Sequence, residues 1–206
     1  MPSIGHFKIY APVEPCNYTG EKLKEVVDKV VCGHLTGNGR ELNLDGCCIG
    51  SNGMTLLAED ERLVKVKRLN LGGNKIRDAG ARLLAGSAIF SRVQWLELGG
   101  NEIGPQGIQA LVTSPHLQKV KTLNLYLNRL GDEGALVLAR ENQLSRIEEM
   151  DLAQNEIGDP GVRALSQSDK FPNLIALYMD NNFASQEARE EARAGRNFRK
   201  LQSLNL

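Results

Sequence analysis

The side chains able to do chemistry are few and widely separated. Histidines stand at 6, 34 and 116, with no zinc-ligand spacing among them. Cysteines stand at 16, 32, 47 and 48. Cys47-Cys48 is an adjacent pair rather than C-x-x-C, and no second pair follows. The even count admits disulfides. The opening MPSIGHFKIYAPVEP, however, lacks the basic and apolar regions of a secretory leader, so reduced thiols and a cytoplasmic location are expected; secretion without a cleaved leader stays open. Asn17-Tyr18-Thr19 fits the glycosylation sequon, which carries no meaning in a reduced compartment. No G-x-S-x-G, G-x-x-x-x-G-K-[ST] or H-E-x-x-H is present. Asp78, Glu102, Asp132 and Asp159 sit where helix-like runs begin, so their expected role is to complement the helix dipole. The expectation is therefore no catalytic, metal or cofactor-binding residue, and no enzyme.

One stretch looks more promising. Gly72-Gly73 lies between an apolar run and a helix-like segment in LNLGGNKIRDAGARLLA, residues 69–85, a setting in which backbone amides can cradle an anion. Copies of the stretch decide the matter. LNL at 42–44 and 69–71 is followed by LEL at 96–98, LNL at 123–125, MDL at 150–152, LYM at 177–179 and LNL at 204–206. Each step is 27 residues. Asparagine recurs at Asn74, Asn101, Asn128, Asn155 and Asn182, with Cys47 in the first copy, and a later glycine recurs at 53, 80, 107, 134 and 161. Gly72-Gly73 is replaced by Tyr126-Leu127 and Ala153-Gln154 in other copies. The glycines are thus expected to clear surface beside Trp95 and not to bind phosphate.

Within each copy the period changes. Alternating L-x-L is a strand pattern, and the run after the asparagine has helical spacing. Aligned positions form apolar columns, such as Leu57, Leu84, Leu111, Leu138 and Leu165, that no single copy can bury alone, so neighbouring units must stack into one core. The Asn74, Asn101, Asn128, Asn155 and Asn182 column supplies a donor and an acceptor to turns whose backbone groups are otherwise buried unpaired. Cys47 is read as the small member of that ladder, with a reactive thiol as the competing reading.

The pattern L-x-x-L-x-L-x-x-N-x-I-G-D-x-G-A-x-x-L-A, carried most fully by residues 66–85, resembles the leucine-rich repeat of the ribonuclease-inhibitor type, with a phrasing similar to short cytosolic bacterial members. The resemblance implies an α/β leucine-rich-repeat solenoid: a right-handed horseshoe with parallel strands on the concave face and helices on the convex face. Residues 40–206 are assigned six units plus the first strand of a seventh. Residues 1–39 are assigned a lead-in and a capping helix over Glu21–Cys32, with Thr19 as N-cap and Gly33 as stop. A helix binding a membrane or partner is the alternative for that segment. Leu204 and Leu206 leave an apolar edge, a possible surface for self-association.

If the strand leucines point inward, their neighbours face the concave surface. That places the chain's one tryptophan, Trp95, there, with Arg68, Glu97, Tyr126, Leu127, Glu149, Asp151, Tyr178 and Asp180. Trp, Tyr and Arg dominate interface hot spots. The 25 basic and 25 acidic residues cancel, so no global charge draws the chain to nucleic acid or membrane. The reading is a non-catalytic protein-interaction module with a protein partner, centred on Trp95 and Tyr126. The alternatives are a regulator of an enzyme, as the Ran GTPase-activating protein with the same repeat type is, an enzyme inhibitor, or a structural segment of a longer array.

Overall fold

A computed structural model describes residues 15–195 and 197–206. Most of the lead-in, with His6, lies outside the described residues. The first described helix is α1 (Gly20–His34), and then strands and helices alternate: β1 (Glu41–Asn43), α2 (Gly50–Leu57), β2 (Arg68–Asn70), α3 (Arg77–Gly86), β3 (Trp95–Glu97), α4 (Pro105–Val112), β4 (Thr122–Asn124), α5 (Gly131–Glu141), β5 (Glu149–Asp151), α6 (Asp159–Gln167), β6 (Ala176–Tyr178), α7 (Gln186–Arg193) and β7 (Ser203–Asn205). The seven strands form one parallel sheet in chain order, and each residue pairs with its counterpart 27 positions on, as Leu42 with Leu69 and Leu69 with Leu96. The chain is an α/β solenoid. Strands repeat about 4.8 Å apart while packed helices need about 8–10 Å, so helices on one side and strands on the other curve the stack.

The core is a set of stacked columns. Leu42, Leu69, Leu96, Leu123, Met150 and Leu177 are all buried on the inner side of the sheet, and Met54, Ala81, Ile108, Ala135 and Val162 on the helices facing it. The recurring helix glycines are required by space. A Cβ on Gly134 would lie 2.8 Å from Leu130 Cβ, and one on Gly80 would lie 2.6 Å from Ile76 Cβ. In the sixth unit Ala184 replaces the large residue and Ala188 replaces the glycine, and both are buried. The two changes compensate in volume.

Helix α1 covers the first unit with Leu23, Val26, Val27 and Val31. It runs past Gly33 to His34, and Thr19, although at the N-cap position, makes no side-chain capping bond. After it, Leu35 pairs antiparallel with Leu42, so the cap also shields the first edge of the sheet.

One expectation is overturned. The cysteines are not all reduced: Cys16 and Cys48 form a disulfide with their Cα atoms 5.4 Å apart, leaving Cys32 and Cys47 free. The cause is a contact remote in sequence. The Cys16 N–H donates to Cys48 O at 2.7 Å, which lays the segment before α1 against the turn of the first unit.

Candidate functional site

The asparagine column sits in the turn after each strand. Asn101 Oδ1 accepts from Asn74 N at 3.1 Å and Ile76 N at 3.3 Å, and its Nδ2 donates to Leu71 O at 2.8 Å and Leu98 O at 2.9 Å. Asn74, Asn128, Asn155 and Asn182 repeat parts of this pattern. Cys47 occupies the place but does less: its Sγ donates to Asp45 O at 3.6 Å. Burial and the nearby Asp45 carboxylate push its thiol pKa up, which disfavours the nucleophilic thiolate.

A second ladder, which column reading missed, joins the helix ends. Ser114 Oγ donates to Ala85 O, Ser168 Oγ to Ala139 O at 2.7 Å and Ser87 Oγ to Ala58 O. The carboxylates Asp78 and Asp132, in the first turns of α3 and α5, also reach the next unit's helix. Asp78 accepts from Gly104 N at 2.7 Å and Gly107 N at 3.0 Å, and Asp132 from Gly158 N at 2.8 Å and Gly161 N at 2.9 Å. Helices α4 and α6 have glycine at their own N-caps and no side-chain cap; the preceding unit supplies it. Asp159 accepts from Ser185 N and Ser185 Oγ, which holds its carboxyl below the usual range, aided by Arg163. Glu102 pairs with Arg77 at 3.2 Å and Arg129 at 3.9 Å.

On the exposed side of the sheet the last residue of β1 to β5 closes the turn after it. Glu97 accepts from Gly99 N at 2.6 Å and Asp151 from Ala153 N at 2.9 Å, as Asn70 and Asn124 do in their units. Burial pushes both carboxyls above their usual range, with further repulsion on Glu97 from Asp151 and Asp45 and on Asp151 from Asp180.

The two central aromatic residues stand at different levels along the strands. Trp95 begins β3 and pairs with Thr122 at the start of β4, while Tyr126 lies four positions further along the chain. At ~3.3 Å per residue their backbones stand about 13 Å apart along the strand direction. We call these the upstream and downstream edges of the concave face. At the upstream edge the Arg68 guanidinium lies 4.4 Å from the Trp95 ring centroid, a cation–π contact. Both residues line a cleft of about 330 Å³ with Arg40, Lys67 and Glu148. Glu149 is exposed beside this edge and Tyr178 is half-buried on β6.

At the downstream edge Tyr126 is 38% exposed and Leu127 50%. Leu127 is also held at φ 54°, where a branched side chain is strained. Its counterparts Gly46, Gly73 and Gly100 adopt φ 63–66°, as do Gln154 at 55° and Asn181 at 56°. The turn therefore takes a left-handed residue in all six units, which glycine supplies without strain and Leu127, Gln154 and Asn181 also adopt. Nor do the glycines leave a bare strip beside Trp95. A Cβ on Gly72 would lie 2.6 Å from Asp45 Oδ1, and one on Gly99 2.9 Å from Glu97 Oε1: that space is filled by carboxylates. Phe183, 74% exposed, stands near the same edge and was missed by the sequence reading. The signal was present, because four of its five counterparts, Lys75, Glu102, Arg129 and Glu156, are charged and the fifth is Cys48.

Among the described residues no group of three or more His, Cys, Asp or Glu is placed to hold a metal ion, and no helix is long and apolar enough to cross a membrane. Stacked βα units, tied by side-chain ladders, define a repeat solenoid. Residues 40–58, 63–85, 94–112, 116–139 and 147–166 match the Leucine Rich repeat family, and the chain belongs to it. Among solved structures it is similar to an internalin (inlF) from Listeria monocytogenes str. 4b F2365, with 25% identity over 74% of this chain and a TM-score of 0.50. The chain spans 37% of that internalin's length. A comparison with the curated proteins gives no match.

Proposed function

We propose that this chain is a non-catalytic protein-interaction module that binds a protein partner through its concave face, with the ribonuclease-inhibitor type of repeat as its scaffold. The subtype rests on the 27-residue step and on true α-helices opposite the sheet. The interaction reading rests above all on Tyr126-Leu127. Solvent-exposed apolar area is unfavourable, and so is a leucine at positive φ. A glycine, found in the same turn of units one to three, would avoid both. A bound partner gives the residue a use. Trp95, with Arg68 stacked on it, is the second anchor across the face, and Glu97, Glu149, Asp151, Tyr178 and Asp180 lie around the two. The domain division, cap over residues 1–39 and array over 40–206, belongs to the same reading. The Cys16–Cys48 bond favours an oxidising compartment over the cytoplasm.

The test separates binding from folding. A partner captured by the wild-type chain is purified and titrated against Trp95→Ala and Leu127→Gly. Each variant is expected to lose at least about 2 kcal/mol of binding, the mark of a hot spot. Leu127→Gly should meanwhile keep or raise thermal stability, because relief of a strained φ is worth about 1 kcal/mol or more. Unchanged affinity in both variants would overturn the reading.

A further inference from the structure

A column of cations runs along the upstream edge, one step outside the face. Between the two core apolar residues that precede β2, β3, β4 and β5 stand Lys65, Arg92, Lys119 and Arg146, and just before β1, β2 and β4 stand Arg40, Lys67 and Lys121. Their backbones are fixed in register. Lys67 N and Arg68 N both donate to Arg40 O, Gln94 N to Lys67 O and Lys121 N to Gln94 O. Successive rungs are thus about 4.8 Å apart, and like charges stacked at that spacing repel.

Several cations elsewhere on the molecule have carboxylate partners. Arg62 pairs with Asp28 and Asp60, Arg77 and Arg129 with Glu102, and Arg163 with Asp159 and Glu191. In this column only Lys121 has an ion pair among the described residues, with Glu148. Arg40, Lys65, Lys67 and Arg92, with Asn38, wall a cleft of about 610 Å³ that no carboxylate lines. It shares Arg40 and Lys67 with the cleft that reaches Arg68 and Trp95.

We propose that this cleft is a docking groove for an extended, Asp/Glu-rich segment of a partner protein, which runs along the upstream edge of the first three units. The proposal rests on the concave-face reading for the class of partner and adds its chemistry. An extended chain presents side chains on one face every ~6.6 Å, within the reach of flexible lysine and arginine stems that rise from rungs ~4.8 Å apart. A nucleic acid fits less well. Glu41, Glu148 and Glu149 fence the patch, and Asp45, Glu97, Asp151 and Asp180 hold the opposite edge, so a long polyphosphate meets repulsion on leaving the groove. The one tryptophan already carries Arg68 on a face, and single-strand binding relies on several free aromatic platforms.

The probe is a fluorescein-labelled peptide of about twelve residues with alternating Glu and Gly, so that its carboxylates fall on one face of an extended chain. It is titrated against the full chain by fluorescence anisotropy. Wild type is expected to bind it, about tenfold more weakly as NaCl rises from ~50 to ~500 mM. Lys65→Glu with Arg92→Glu should weaken binding at least about tenfold, whereas Arg82→Glu with Arg193→Glu, an equal charge change on exposed helix positions, should leave it within about twofold. The neutral pair Lys65→Gln with Arg92→Gln, checked by its melting curve, guards against a folding defect. The proposal is overturned if wild type shows no saturable binding, if the helix variant weakens it equally, or if a single-stranded RNA of similar length or anionic vesicles bind more tightly than the peptide. Peptide binding that survives in Trp95→Ala while partner capture is lost separates the two anchors and supports the groove. Lost peptide binding with partner capture intact removes the groove and leaves the concave-face reading standing.

Discussion

Asn101 shows how much one side chain carries in a stacked-repeat protein. It is fully buried and bonds to the backbone of its own turn and the turn before it. The column of which it is part is visible in the sequence as an asparagine every 27 residues, and the need for a donor–acceptor side chain follows from buried turns. What the residue type does not disclose is direction. The oxygen reaches back to the preceding unit's amides, so Asn101 satisfies Asn74 and Ile76 more than itself. Truncation to alanine strips partners from two buried N–H groups and from the carbonyls of Leu71 and Leu98. At ~1–3 kcal/mol per orphaned buried group, with part recovered by relaxation, Asn101→Ala should lower unfolding stability by about 3 kcal/mol or more in a urea titration. A loss under about 1 kcal/mol would mean the turns find other partners. Leu127 marks the opposite limit. Its column position was legible, but its φ of 54° was not, because nothing in the word Tyr-Leu says that the turn is left-handed until Gly46, Gly73 and Gly100 are seen to share it.

At the scale of the element, each helix is set down by contacts that the repeat makes predictable only in part. The strands, helices and apolar columns follow from the change of period within each unit. The caps do not: Asp78 and Asp132 look like first-turn residues of their own helices, yet they cap α4 and α6 of the following unit. This contact depends on how units stack, not on any local sequence. Similarly, the glycine of each helix is legible as a column, while its reason appears only when a Cβ on Gly134 is seen to reach 2.8 Å from Leu130 Cβ. The sixth unit, with Ala184 and Ala188 in these two places, shows that the pair trades volume. Gly134→Ala alone should then cost about 1–3 kcal/mol by overpacking and Leu130→Ala about 2–5 kcal/mol by the cavity it leaves. The double variant should be more stable than the sum of the two losses by at least about 1 kcal/mol, because one change fills space the other opens. Strict additivity in the double-mutant cycle would show that Gly134 serves backbone freedom and not fit.

The whole molecule is a one-dimensional stack, and its stability is set unit by unit along that axis. Composition, with its cancelling charges, conceals that Arg40, Lys65, Lys67, Arg92 and Lys121 collect along one edge of the concave face and the carboxylates of Asp45, Glu97, Asp151 and Asp180 along the other. That polarity appears once the 27-residue columns are laid side by side. The Cys16–Cys48 bond could not be read in this way, because Cys16 precedes the repeat and belongs to no column. Its consequence is confined to one end. The bond closes a loop across a sequence separation of 32 that contains α1 and β1, and a closure of that length is worth roughly 3–4 kcal/mol in the chain-entropy account. Because each unit contacts mainly its neighbours, the loss on reduction should not spread. With a phosphine reductant, amide exchange is expected to quicken in α1 and α2, whereas α4, α5 and α6, whose helix contacts lie on both sides within the array, should keep their protection. If all helices lose protection together, the solenoid unfolds as a single cooperative body and the cap sets the stability of every unit. If none does, the hydrophobic contacts of Leu23, Val27 and Val31 with the first unit's core already hold the cap, and the bond adds nothing to them.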